Sequence, residues 1–270
     1  MKGLIKLIYC AVVLLFLAHG AFAQDDREKK EEIIGNTPLV ETNVVGVLYE
    51  HMMSVGFFSH SNGFGMNYRR GKNTSGYSKR IFEIEAATIK HSKEYKVYSP
   101  TQESKGYIFG KSNALLALRG SIGQQRVIAS KTDMGGIEIR YIYMAGASMG
   151  ILKPVYLKIE KDVPHSSLPK ISIEKYDPAK HGIHNINGKA PTLRGIDELK
   201  LIPGGFAKFG LSFEYGKDPT SVRTLEAGMM LDAYYKTVPI MYDINDSDGY
   251  NPNNQFFFGF YVSLNYGRRW

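Results

Sequence analysis

The stretch Leu225-Glu226-Ala227-Gly228-Met229-Met230-Leu231-Asp232-Ala233-Tyr234-Tyr235-Lys236 decides the fold. Leu225, Ala227, Met229, Leu231, Ala233 and Tyr235 share one parity, and Glu226, Gly228, Met230, Asp232, Tyr234 and Lys236 the other. Residues two apart lie on one face of a strand but on opposite sides of a helix, so the stretch reads as a strand with one aliphatic face. Just upstream, Ala207, Phe209, Leu211, Phe213 and Tyr215 alternate with Phe206, Lys208, Gly210, Ser212, Glu214 and Gly216. Between the two runs, Lys217-Asp218-Pro219-Thr220-Ser221 carries turn chemistry, and the pair reads as a tight antiparallel hairpin.

Working outward, the same alternation recurs. Ile137, Ile139, Tyr141, Tyr143, Ala145 and Ala147 oppose Glu138, Arg140, Ile142, Met144, Gly146 and Ser148. Ala114, Leu116, Leu118 and Ile122 oppose Arg119 and Ser121; Phe82, Ile84 and Ala86 oppose Glu83 and Glu85. Phe64, Met66 and Tyr68 oppose Gly65, Asn67 and Arg69, while Val45, Val47 and Tyr49 oppose Gly46, Leu48 and Glu50. The run 256–270 brings the expected count to eight. The links alternate in length: short between strands two and three, four and five, and six and seven, but long at about 92–105, 151–203 and 239–255. One end with short turns and the other with long connections is the build of a transmembrane barrel. The link near 59–63 is short for the long end. The connection 151–203 is too long for an ordinary loop and carries six prolines. Its runs Tyr156-Leu157-Lys158-Ile159-Glu160 and Ile171-Ser172-Ile173-Glu174 look like strand extensions, which leaves ten strands as an alternative.

The other end of the chain predicts export. Lys2 and Lys6 precede an apolar run from Leu7 to Ala18, and Ala21-Phe22-Ala23 fits a signal-peptidase site. The run is too short to cross ~30 Å of hydrocarbon at about 1.5 Å per residue. Residues 1–23 therefore read as a signal peptide cleaved near Ala23, 24–42 as a charged periplasmic leader, and 43–270 as the barrel. Cys10, the one cysteine, lies in the segment to be removed and lacks the lipoprotein cleavage pattern before it. The mature chain then has no disulfide, thiolate metal site or cysteine nucleophile.

Composition agrees with β-structure: 18 Tyr, 14 Phe and 28 Gly against one Trp. The formal charge of +8 includes Lys2 and Lys6 of the expected signal peptide, and the remaining cations are interspersed with acids such as Glu138 beside Arg140 and Glu160 beside Lys158. That is no nucleic-acid stripe. No stretch after the leader is long enough for an apolar helix to span a bilayer, so a membrane location demands a closed sheet.

The C-terminus carries a resemblance. Phe260, Val262, Leu264 and Tyr266 alternate with Tyr261, Ser263, Asn265, Gly267 and Arg269, and the chain ends in Trp270. This resembles the signal that barrel-assembly machinery reads on the last strand of outer-membrane barrels, where the terminal residue is usually Phe and the third from the end often Tyr; here these are Trp270 and Arg268. With the 203–216 strand, it makes roughly residues 40–270 similar to the small outer-membrane β-barrels of Bacteroidota. The resemblance implies architecture and an outer-membrane address only. The partners expected are membrane lipid and lipopolysaccharide, which suit the surplus positive charge, the assembly machinery through the C-terminal strand, and an envelope protein.

With aliphatic faces turned to lipid, the lumen is expected to hold Glu50, Glu83, Glu85, Glu138, Glu214, Glu226 and Asp232 against Arg69, Arg119, Arg140, Lys208 and Lys236. An eight-stranded interior is just wide enough for side chains to fill, so these groups should pair into a polar plug. No catalytic, cofactor or metal residue is assigned. His60 sits between Ser59 and Ser61, but neighbours in a strand point apart. His165 before Ser166-Ser167, and the pair His181 and His184 near Asp177, lie in the long connection and lack a third ligand. The function expected is a structural or partner-binding role in envelope assembly or secretion, with a lipid-modifying enzyme and a narrow channel as alternatives.

Overall fold

In the computed structural model, residues 49–99, 106–131, 136–161, 170–216, 218, 220–242 and 253–270 are described. The segments read as signal peptide and leader, and Val45 to Leu48, lie outside the described residues. In chain order the strands are β1 (His51–His60), β2 (Gly63–Ser75), β3 (Ser78–Ile89), β4 (Lys96–Val97), β5 (Tyr107–Ile108), β6 (Asn113–Ala129) and β7 (Glu138–Pro154). Then come β8 (Tyr156–Lys161), β9 (Lys170–Lys175), β10 (Ile186–Lys189), β11 (Lys200–Glu214), β12 (Ser221–Tyr234) and β13 (Phe256–Arg269).

Eight of them close into an antiparallel barrel in the order β1-β13-β12-β11-β7-β6-β3-β2. The closing seam pairs the first strand with the last: Phe57 faces Leu264, and Val55 faces Tyr266. His51 and Trp270 exchange backbone bonds of 3.0 and 3.1 Å at its end. No barrel strand is left with an open edge, because closure pairs every one on both sides. The antiparallel eight-stranded fold read from the alternation is the observed one.

Two details differ from the sequence reading. The first strand begins at His51, and Tyr49 and Glu50 are outside it. Pairing sets its start: the β2 register ends at His51 opposite Lys72, and β13 stops at Arg269. The parity of Tyr49 continues correctly into Met53, Val55 and Phe57, but beyond His51 the ladder thins to one backbone bond, from Asn73 N to Glu50 O at 2.9 Å. Secondly, β8 and β9 do not enter the wall. Lys200 of β11 pairs directly with Leu152 of β7, so no gap exists for two further strands, and β8–β10 form their own three-stranded sheet.

The connections sort by length. Residues 76–77, 130–137 and 215–220 link strands at one end, here the short-turn end; 90–112, 155–199 and 235–255 link them at the other, with 61–62 as its short exception. The wall alternates cleanly: β1 reads exposed and buried in turn from His51 to His60, as does β13 from Phe256 to Tyr266. Glycine is required where the lumen is crowded. A side-chain carbon on Gly56 would stand 2.1 Å from Asn265 Oδ1 and 2.4 Å from Asn67 Oδ1.

Candidate functional site

The lumen is occupied along its length. At its middle, alternation on β2, β3, β6, β11 and β12 turns Arg69, Glu83, Glu85, Arg119, Lys208, Glu226 and Asp232 inward, each at most 4 % exposed. Arg69 donates from Nε to Glu83 at 2.6 Å and from Nη1 to Glu226 at 2.8 Å. Arg119 grips Asp232 through two bonds of 2.9 and 2.7 Å and reaches Glu85 at 3.1 Å. Lys208 joins the halves, bonding Glu83 and also Glu85, the latter at 2.6 Å. Tyr261 donates to Glu226 at 2.8 Å, and the Arg119 guanidinium lies 4.6 Å from the Phe206 ring centre. Four carboxylates and three cations thus form one connected network, which offsets a desolvation cost of several kcal/mol per ion.

Apolar layers flank that network. Phe58, Ala87, Phe206, Met230 and Tyr261 pack on one side, and Ile81, Ile142 and Met144 on the other. At the short-turn end a second charged group gathers Glu214 with Arg269 and Lys79, and Glu138 with Arg140. At the opposite mouth, Val238 and Ile240 come from the 235–255 connection and are fully buried against Ile89, Leu115, Leu152, Tyr234 and Phe257. That segment is tied to the rim: Ser112 N and Asn113 N donate to Ile240 O at 2.9 and 3.1 Å, and Asn253 Oδ1 accepts from Ile240 N and Met241 N, each at 2.9 Å. The cavity beside Arg119 and Asp232 measures about 10 Å³, room for one water at most.

Ten of the twelve charges assigned to the lumen lie inward, with Glu138 only half-buried. Glu50 and Lys236 do not. Glu50 sits before β1, exposed and paired with Lys72 at 2.9 Å, and Lys236 lies exposed beyond the end of β12. Both continue an alternation past the ends of the strands, Glu50 ahead of His51 and Lys236 after Tyr234. Lys79 joins the inward set without having been assigned to it, although it shares parity with Ile81 and Glu83. Val238 and Ile240 escape a sequence reading because apolar residues in a connection carry no periodic signal.

The candidate nucleophile and base residues are not brought together. His60 points inward and meets Thr88 O at 3.1 Å, whereas Ser59 and Ser61 face out. His181 is buried, accepting at Nδ1 from Asp177 N at 3.0 Å with Glu174 3.4 Å from Nε2, while His184 is exposed. His165, Ser166 and Ser167 fall outside the described residues.

Above the mouth, three connections build one platform. β9 and β10 flank β8, and Tyr107 of β5 packs into their core with Leu157, Ile159, Tyr176 and Ile186. Lys161 and Ser172 hydrogen-bond the Glu174 carboxylate and, with His181, hold its pKa down at about 2. Glu198 is likewise held low by Lys175, 2.6 Å away, and by Tyr156. Beside this sheet a pocket of about 390 Å³ is lined by Lys90, Lys96, Lys111, Lys153, Lys189 and Arg194. Among the described residues Glu94 is the lining carboxylate, and it is taken by Lys111 at 2.6 Å. The walls between the cations are apolar, with Tyr107, Pro154 and Leu157. Such a pocket fits an anionic ligand with an apolar body.

No family model matches this chain, and no curated protein matches it. Among solved structures it is similar to Ail, the attachment invasion locus protein of Yersinia pestis, in complex with the heparin analogue sucrose octasulfate: 9% identity over 83% of this chain and 100% of that one, TM-score 0.39. It is also similar to Neisserial surface protein A, with 9% identity over 82% of this chain and 96% of that one, TM-score 0.36.

Proposed function

We propose that this chain is an outer-membrane β-barrel that does not conduct, and that it serves the envelope by binding a partner on its folded loop platform. The observation that carries the reading is an inversion of the usual burial. The network of seven charged residues is inside, while Phe57, Met66, Ile84, Phe209, Leu231, Phe260 and Val262 stand exposed around the whole wall, the last two at 61% and 52%. Monomers in water rarely expose apolar patches beyond a few hundred Å², and lipid removes that cost. The outward apolar residues of β13 run from Phe256 to Tyr266, the length of a tilted strand that crosses a bilayer.

In this reading the short-turn end faces the periplasm, export follows cleavage near Ala23, and the strand ending at Trp270 is what assembly machinery recognises. The ion pairs and apolar layers hold the wall in shape and fill the lumen, which disfavours a channel. Binding is left to the platform, whose cationic pocket suits a phosphate- or sulfate-bearing partner.

The test is binding of tripolyphosphate to the chain from Gln24 refolded in detergent. Substituting Lys153, Lys189 and Arg194 together by Gln weakens binding at least tenfold and leaves the barrel heat-modifiable on gels. Unchanged affinity contradicts the platform's role.

A further inference from the structure

The outward face of the wall is not apolar to both ends. Near the short-turn end its exposed positions turn basic, starting beside the last apolar residues: Arg70 follows Tyr68 on β2, Arg80 precedes Phe82 on β3, and Arg223 precedes Leu225 on β12. Lys72, Arg126 and Arg268 complete the set, and all six are exposed. The registers place them in adjoining rows. Lys72 pairs with Arg80, Arg126 with Ser78, Arg70 and Arg268 both with Met53, and Arg223 with Tyr266.

The six form an arc over the strands β12, β13, β1, β2, β3 and β6, contiguous around the barrel except that β1 contributes His51 at the same level. The two remaining strands carry Tyr141, Tyr143, Phe213 and Tyr215 there instead. Towards the other end the corresponding outward positions are Phe57, Phe64, Leu116, Leu201 and Phe258. Among the described residues, Lys72 pairs with Glu50 at 2.9 Å and Asp218 lies near Arg223 and Arg268; no carboxylate is within salt-bridge distance of the five arginines. Within the arc, a surface cleft of about 350 Å³ is lined by His51, Arg70, Lys72 and Arg80 above Phe82 and Ile122.

We propose that this arc binds the headgroups of anionic glycerophospholipid in the leaflet at the short-turn end, resting on the membrane reading above. Charge at the bilayer midplane on a barrel's lipid face costs about 2–4 kcal/mol for Arg or Lys but close to nothing at the interface, so the arginines mark the hydrocarbon boundary. At that boundary a guanidinium meets phosphodiesters, which it grips through paired donors. The cleft offers both halves a phospholipid needs, cations for the phosphate and Phe82 with Ile122 for the first methylenes. Because the arc is one-sided, the lipid it collects lies along six strands and leaves the tyrosine face of β7 and β11 bare.

The experiment inserts the chain from Gln24 into phosphatidylcholine vesicles containing a minor fraction of phosphatidylglycerol, and measures by mass spectrometry the lipid retained on gentle extraction. The expected result is enrichment of phosphatidylglycerol over phosphatidylcholine that falls roughly fivefold for each of Arg70→Gln, Arg80→Gln and Arg126→Gln, the equivalent of about 1 kcal/mol. The corresponding Lys substitutions, which keep the charge and lose the paired donors, lower it less than Gln does. Equal retention of both lipids by the unaltered chain overturns the proposal, as does retention of added lipopolysaccharide, and not phosphatidylglycerol, through the same arginines. Failure of the unaltered chain to enter any vesicle overturns the membrane reading instead, and heat-modifiable migration distinguishes the two failures.

Discussion

Arg119 of β6 and Asp232 of β12 meet across the lumen in a two-pronged bond, Nε to Oδ1 at 2.9 Å and Nη2 to Oδ2 at 2.7 Å, although 113 residues separate them. Both side chains are at most 2 % exposed, so each charge depends on the other. Asp232→Ala strands a guanidinium that keeps only Glu85 and is expected to cost about 3–5 kcal/mol of unfolding free energy. Urea titration of vesicle-embedded protein reads that loss. Lys208→Met should cost as much, because Glu83 and Glu85 then face each other without their shared cation.

The mouth seal makes a separate prediction. Ile240 is fully buried in the apolar cluster beneath the long connections. Ile240→Ala leaves a void and should lower stability by about 2–5 kcal/mol. The unaltered chain should show no stepwise conductance in planar bilayers, since charged and apolar layers occupy the lumen throughout.

Crowding inside the wall predicts a third outcome. A side-chain carbon on Gly210 would lie 2.6 Å from the Tyr261 hydroxyl and 2.7 Å from the Ala227 carbonyl oxygen. Gly210→Val therefore displaces the tyrosine that donates to Glu226 and should cost at least about 1–3 kcal/mol, read in the same titration. At Gly205 the nearest neighbour on that side is the Gly146 carbonyl oxygen at 4.0 Å, so Gly205→Ala should cost far less.

The platform has a pH signature of its own. Glu174 titrates at about 2, below the ordinary carboxylate value of 4.5, because Lys161 and Ser172 bond its charged form. A lowered folded pKa contributes stability that is complete above 4.5 and is lost as pH falls from there through about 2. Limited acid proteolysis with pepsin should thus open the β8–β9 pair increasingly from about pH 4 to about pH 2 while the wall stays intact. Glu174→Gln should remove most of that pH dependence.

The wall was legible in the sequence because one face of each strand meets a different medium from the other, and alternation records it. From the sorting of Leu225 against Glu226, or Phe260 against Tyr261, the fold and the inward charges follow. Strand ends were less legible: the parity of Tyr49 and Glu50 continues ahead of the first residue of β1, and that of Lys236 past the last residue of β12. Which carboxylate meets which cation could not be read, because Arg119 and Asp232 are brought together by register and shear around a closed sheet. The pocket was hidden for a related reason. Lys90 follows β3, Lys153 lies near the end of β7 and Lys189 ends β10, and solvated lysines look the same in sequence as lysines that face one cavity.

Which face of the wall meets lipid is measured most directly on β13. The chain from Gln24 has no cysteine, so single cysteines at positions 258 to 265 can carry a spin label each in vesicle-embedded protein. A lipid-facing outer side gives high collision rates with oxygen and low rates with a water-soluble nickel chelate at positions 258, 260, 262 and 264, and low rates with both reagents at 259, 261, 263 and 265. Free access of the nickel chelate to Phe260, Val262 and Leu264 would contradict it.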